Sequence, residues 1–232
     1  MTVWQNENYS IDKITCLGYN CYLVRYGEFT ILVDTGLKFV RGMLMRRLDR
    51  LGIHRLSAIV LTHYHSDHAG NAAYLARRFG CEVYASPVFA DWLRRGECNM
   101  PHSNSFSAWV INRLSRVFGC LHWDCFDPIP NVRPIGEFTA SGILGGGVEI
   151  LPLTAHTDDS ICLIFDKTAA IVGDAFVHTP PFGQITLPWA DTPERIPDSW
   201  RQLFALNCEI YCPGHGTPAK QKALAKAIKK QR

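Results

Sequence analysis

The stretch Thr62-His63-Tyr64-His65-Ser66-Asp67-His68-Ala69-Gly70 constrains this chain more than any other. Three histidines and one carboxylate fall within six residues. The apolar run Leu56 to Leu61 precedes them and reads as a buried strand. Ala69 to Phe79 follows and reads as a helix. A strand end that opens into a helix is where ligands converge in α/β folds. Imidazole and carboxylate donors together suit Zn, Mn or Fe. A solvated polar loop has no need to repeat such donors at HxHxDH spacing.

The same arrangement recurs downstream. His156 follows the strand-like run Val148 to Leu153, and Asp174 follows Ala169 to Gly173. His215 lies between two glycines in Cys212-Pro213-Gly214-His215-Gly216-Thr217, after Glu209-Ile210-Tyr211. An earlier aspartate, in Val33-Asp34-Thr35-Gly36, also stands at a strand end. Side chains at such ends can point into one cleft.

In this order, HxHxDH then His, Asp and His, the chain resembles the metallo-β-lactamase superfamily, from about Thr15 to Pro218. The resemblance implies a first metal bound by His63, His65 and His156, and a second by Asp67, His68 and His215. Asp174 would bridge them. The cofactors would be two divalent ions, zinc first, with iron or manganese as alternatives. Asp34 would orient ligands from outside, because outer hydrogen bonds fix imidazole tautomer and ring direction. The implied fold is α/β, an αββα sandwich of two mixed β-sheets with helices on the outer faces. Periodicity alone gives only α/β.

Paired cations lower the pKa of a shared water from 15.7 towards about 7, polarise a substrate oxygen and orient attack. The expected enzyme is a binuclear metallohydrolase that uses a metal-bridged hydroxide on an ester, thioester, lactone or phosphodiester. Asp67 is the first catalytic candidate, holding both the second metal and the nucleophile's hydrogen bond. His178 is the second: quorum-signal lactonases carry a Tyr shortly after the bridging Asp, and this chain offers His178 instead. It could bind substrate or protonate a leaving group, or be a surface histidine. Asp174 argues against a two-zinc β-lactamase, which lacks a bridging Asp. Two other readings stay open. One is a mononuclear iron persulfide dioxygenase of the same fold, using His63, His156 and Asp174. The other is a non-catalytic metal-binding protein, against which stands the intact ligand set.

The 232 residues can bury one substantial core, and a single domain is expected. No apolar run is long enough to span a bilayer, and Met1 to Ser10 lacks the pattern of a signal peptide. Nine cysteines are an odd count in a chain of this size, which fits reduced thiols in a cytosol. A cytoplasmic enzyme acting on a small-molecule substrate is the expectation. After Pro213 come six Lys or Arg and no acidic residue. Ala223, Leu224, Ala227 and Ile228 recur there at helical spacing, so the tail reads as a docked amphipathic helix rather than a nucleic-acid arm. A helix over Pro193 to Leu206 is expected to start on Thr192 as N-cap.

Between the two halves, about 94–141 reads as a cap-like insertion with a short helix marked by Trp109, Ile111 and Leu114. Long loops inside compact domains are usually functional. Phe106, Trp109, Phe118, Trp123 and Phe126 could wall a substrate pocket, with His102, Arg113 and His122 as polar contacts. The same aromatics would serve a homodimer surface equally well. Cys98, His102, Cys120, His122 and Cys125 could hold a separate zinc, but their spacing is not that of a zinc finger.

Overall fold

The computed structural model describes residues 1–99, 102–118, 126–179 and 183–230. Its first sheet begins with β1 (Thr2–Gln5), β2 (Tyr9–Cys16), β3 (Tyr19–Tyr26) and β4 (Phe29–Val33). Helix α1 (Arg41–Arg50) leads to β5 (Ala58–Val60), then α2 (Ser66–Ala69), α3 (Ala72–Phe79) and β6 (Glu82–Ala85). Next come α4 (Ala90–Arg95), α5 (Phe106–Phe118), β7 (Arg133–Pro134) and α6 (Ile135–Ser141). The strands pair in sequence order; β1 to β4 are antiparallel and β4 to β7 parallel.

The second sheet uses β8 (Val148–Pro152), β9 (Ile161–Phe165) and β10 (Ala169–Gly173). A short hairpin, β11 (Val177–Thr179) and β12 (Gln184–Thr186), precedes α7 (Ile196–Ala205), β13 (Ile210–Pro213) and α8 (Gln221–Lys230). The order is β13-β10-β9-β8, with β10 and β13 parallel and the other pairs antiparallel.

Side chains alternate across each strand, and that alternation builds the layers. Ile31, Val33, Ala58 and Val60 face inward and meet Ile161, Leu163, Phe165, Ala169 and Ile171 of the other sheet. Leu32, Ile59 and Leu61 face outward, against Leu44 and Leu48 of α1 and Ala72 and Leu75 of α3. On the far side Cys162, Ile164, Ala170 and Val172 meet Trp200 and Leu203 of α7 and Leu224 and Ala227 of α8. The result is the expected αββα sandwich. Leu163 is fully buried between the sheets, so Leu163→Ala would cost about 2–5 kcal/mol.

Three local expectations are corrected. The helix expected over Ala69 to Phe79 is split into α2 and α3. Asn71 interrupts it: its Nδ2 donates to the carbonyls of Thr35 (2.8 Å), Gly36 (3.2 Å) and Leu37 (2.8 Å), which stitches the Asp34 loop to the ligand loop. Gly70 permits that approach, since a Cβ there would collide with the Ser66 and Gly36 carbonyls. Second, Thr192 makes no side-chain cap; Pro193 to Arg195 form a 3₁₀ turn and α7 starts at Ile196. Third, the helix expected around Trp109 to Leu114 is longer, spanning all of α5.

The end of the 94–141 segment belongs to the sandwich. Val132, Ile135 and Phe138 are buried there, and Phe138 packs on Tyr84 with ring centroids 5.4 Å apart. Farther up the segment Phe106, Trp109, Ile111 and Leu114 are exposed instead. Cys120, His122, Trp123 and Cys125 lie outside the described residues. Of the other two residues considered for a separate zinc, Cys98 is buried and His102 is exposed, 3.3 Å from Asp191 Oδ1.

Candidate metal centre

Sheet direction brings the candidates together. β4 and β5 run parallel, as do β10 and β13, and β8 runs antiparallel to β9 as β10 does. Asp34, His63, His156, Asp174 and His215 each follow the C-terminal end of one of these strands. His65 occupies the N-cap position of α2 without a side-chain cap bond, and Asp67 and His68 lie on the helix. The Ile161 N–H donates to the Thr62 carbonyl at 2.9 Å, which ties the sheets together beside the site.

Two donor clusters result. His63, His65 and His156 form one; Asp67, His68, Asp174 and His215 form the other. In the first, His63 Nε2, His65 Nδ1 and His156 Nε2 are 3.0–3.2 Å apart. Three lone pairs this close repel unless a cation sits among them. A tetrahedral ion with metal–nitrogen distances of about 2.0–2.1 Å needs nitrogens roughly that far apart. In the second, His68 Nε2 is 3.3 Å from Asp174 Oδ1, and His215 Nε2 is 3.2 Å from Asp67 Oδ2. Asp174 Oδ2 is 3.3 Å from His215 Nε2 and 3.8 Å from His156 Nε2, so its carboxylate lies between the clusters.

The residues fit metal ions on further grounds. His68 Nε2 and Asp174 Oδ1 are fully buried and lie 3.3 Å apart, outside good hydrogen-bond geometry. Buried polar atoms are rarely left so. Gly214 has the site pressed against its backbone: a Cβ there would collide with Asp174 Oδ1 and come within 2.6 Å of His68 Cε1.

Outer contacts aim the rings. The His68 Nδ1–H donates to Asp34 Oδ2 at 2.8 Å, leaving Nε2 for the cluster. Asp34 also accepts from the Thr62 N–H and hydroxyl, each at 2.8 Å. It does so from a left-handed backbone, φ +61°, which Asp tolerates better than most residues. This is the orienting place expected for Asp34. His156 Nδ1 donates to the Trp189 carbonyl at 2.8 Å, and His215 Nδ1 to the Gly18 carbonyl at 3.3 Å.

Charge is divided unequally between the clusters. Burial, with His68, His156 and His65 nearby, holds His63 well below the usual histidine range. Burial and His156 push His65 down to about 3. These rings are neutral at pH 7 and ready to donate lone pairs. In the second cluster burial also opposes charge, but the carboxylates prevail. Asp34, Asp174 and Asp67 hold His68 well above its ordinary value, and Asp174 and Asp67 push His215 up to about 10. Burial works against the carboxylates too, yet His68 and His215 hold Asp67 down to about 2 and Asp174 well below the carboxylate range. Without metal, then, protons occupy the place a cation would take.

His178 falls outside both clusters. Its Nδ1 contacts the Thr217 and Pro218 carbonyls at 3.0 and 3.2 Å, binding β11 to the His215 loop. Three contributors escape sequence reading. The Trp189 carbonyl and Asn71 act through backbone contacts that leave no pattern. Thr62 stands directly before the motif yet gives no sign of pairing with Asp34.

A mixed α/β sandwich with a His/Asp donor set at its strand ends defines a metal-dependent hydrolase fold. The family model described as the metallo-beta-lactamase superfamily matches residues 14–215, and the chain belongs to that family. It is 26% identical over 223 residues to a probable metallo-hydrolase of Methanocaldococcus jannaschii, covering 94% of this chain and 98% of that one. It is 28% identical over 213 residues to a hydroxyacylglutathione hydrolase of Haemophilus influenzae, covering 90% and 91%. A solved structure in a di-iron-bound form superposes with a TM-score of 0.64 at 25% identity, covering 94% of this chain and 97% of that one. Among the described residues no helix is long and apolar enough to cross a membrane.

Proposed function

We propose that the protein is a binuclear metallohydrolase that cleaves an ester, thioester, lactone or phosphodiester in a small-molecule substrate. His63, His65 and His156 would hold one cation; Asp67, His68 and His215 the other, with Asp174 shared. The observation that carries this reading is the placement of Asp174, whose two oxygens face His68 on one side and His215 and His156 on the other. When bound, the cations supply Lewis acidity that activates water and polarises a substrate oxygen. The imidazole-rich donor set favours zinc, and the di-iron-bound relative keeps iron as the alternative.

The chain's own groups divide the remaining work. Asp67 Oδ2 accepts a hydrogen bond at the centre of the second cluster and can hold the proton-bearing side of a nucleophilic water. The neutral His63 and His65 keep the first site free of competing protons. His178, with Nδ1 turned to the Thr217 and Pro218 carbonyls, is assigned to holding the His215 loop rather than to proton transfer. The persulfide dioxygenase reading needs only His63, His156 and Asp174, and so leaves the second gathering of buried donors, Asp67, His68 and His215, without a role. Discrimination among substrates is assigned to the cap around α5, because the ligands are generic.

One sample tests the proposal. Protein purified without chelator should carry close to two metals per chain and hydrolyse at least one member of an ester, thioester, lactone and phosphodiester panel. A chain that cannot be loaded with metal, or one iron per chain with oxygen uptake, overturns it. Within the same panel Trp109→Ala should change relative rates; a common factor on all rates would make α5 structural only.

A further inference from the structure

We propose that Trp189 is a positioning residue that couples the cap helix α5 to the metal ligand His156. The inference rests on the metal-centre reading above. Residues 187–192 run as a strap between the two. On the inner side the strap is bonded to the ligand segment. His156 Nδ1 donates to the Trp189 carbonyl at 2.8 Å, and the Asp191 N–H returns to the His156 carbonyl at 2.9 Å. The Thr192 N–H donates to the Ala155 carbonyl at 3.1 Å. On the outer side the strap is bonded to the lead-in of α5. The Asn104 N–H donates to the Pro188 carbonyl at 2.7 Å, Asn104 Nδ2 to the Leu187 carbonyl at 3.1 Å, and the Ala190 N–H to the His102 carbonyl at 3.0 Å.

Trp189 joins both sides in one residue. Its indole Nε1–H donates to Asn112 Oδ1 at 3.0 Å, in the middle of α5. Asn112 lies one helical turn after Ala108, which is fully buried. The indole therefore follows the helix while the carbonyl of the same residue orients the ligand. His156 Nε2 stands 3.0 Å from His65 Nδ1 and 3.2 Å from His63 Nε2, so a small tilt of its ring opens the donor triangle. The outward surface of α5 carries Phe106 stacked on Trp109 at 5.9 Å. A substrate that displaces or settles α5 is thereby felt at the first metal site.

Cobalt titration of the metal-free protein tests this, with the visible ligand-field spectrum as the readout. Trp189→Phe removes the indole donor, and Asn112→Leu removes its acceptor. Each should weaken the all-histidine site roughly tenfold, the low end of what losing an outer partner of a ligand costs, and shift the spectrum. At the histidine site the double variant should lose no more than the weaker-binding single one, because both remove the same Trp189–Asn112 hydrogen bond. Asn112→Asp keeps the acceptor and should restore the wild-type spectrum. Unchanged affinity and spectrum in both single variants overturn the coupling, as does an equal loss at both metal sites. If one variant does not fold, the other with its Asn112→Asp control decides the matter. A wild-type chain that takes up no cobalt overturns the metal-centre reading itself, and the coupling with it.

Discussion

His68 shows how the site tunes one side chain. Burial alone would keep it neutral, but Asp34 at 2.8 Å and the two cluster carboxylates hold a proton on it. Asp34→Asn keeps the left-handed backbone and an acceptor for Thr62 but removes the charge. The second cation should then bind roughly 10–100-fold more weakly, with the first little affected, by stepwise metal titration. Asp67→Ala goes further. It should abolish hydrolysis while metal content falls from near two towards one per chain, because the first cluster keeps its three histidines. Turnover near wild type would remove Asp67 from the chemistry. At this scale the candidate donors that the fold brings together were legible because donors of few types recur in a fixed order. Their outer partners were not, apart from Asp34. A carbonyl such as that of Trp189 belongs to every residue, so no side-chain pattern marks it.

Elements carry the ligands to one edge, and their alternation was readable from apolar runs. Ile31 and Val33 facing one core while Leu32 faces the other is period-two patterning of the plainest kind. The break between α2 and α3 was hidden because Ala69 to Phe79 has helical composition throughout, and only tertiary bonds from Asn71 interrupt it. The 94–141 segment was legible as rich in aromatics, but where its helix α5 joins the body depends on bonds to the distant strap at 187–190. The β13 loop yields an element-level prediction. Gly214→Ala places a methyl against Asp174 Oδ1 and His68 Cε1. The Gly214 N–H is bonded to the Gly173 carbonyl and its own carbonyl accepts from the Asn20 N–H, each at 2.8 Å, so the loop is held against these buried side chains and has little room to relax. The variant should keep the wild-type circular dichroism spectrum and lose most of its second-site metal and activity. Full metal content with wild-type rates would show that the loop yields and that the close approach has no function.

Across the whole molecule, the two clusters set opposite limits on the stability of the metal-free protein. Below pH 6.5 the unfolded chain takes up protons that folded His65 refuses until about pH 3, so acid destabilises. Asp67, held down to about 2, adds to that limb: its contribution is complete above about pH 4 and is lost as pH falls through its folded value. Above pH 6.5 the folded chain retains the His215 proton up to about pH 10 while the unfolded chain releases it, so base destabilises too. Asp159 works against the acid limb. Burial pushes its carboxyl up to about 7 and its Oδ2 has no partner, so between about pH 4 and 7 rising pH costs stability. His63 and His65, both held below the ordinary histidine range, outnumber it in that window, and metal-free protein should be most stable near pH 6.5. Asp159→Asn should remove that opposing slope, making the variant relatively more stable at pH 8 than at pH 4 when each is compared with wild type. Metal reverses the alkaline limb, because cations bind the deprotonated ligands that base produces. The gap between loaded and metal-free protein should therefore widen from pH 6.5 towards 10. Urea titrations with and without chelator across this range measure both curves. A metal-free curve that rises steadily with pH, or a gap that narrows, would refute the division of charge between the clusters.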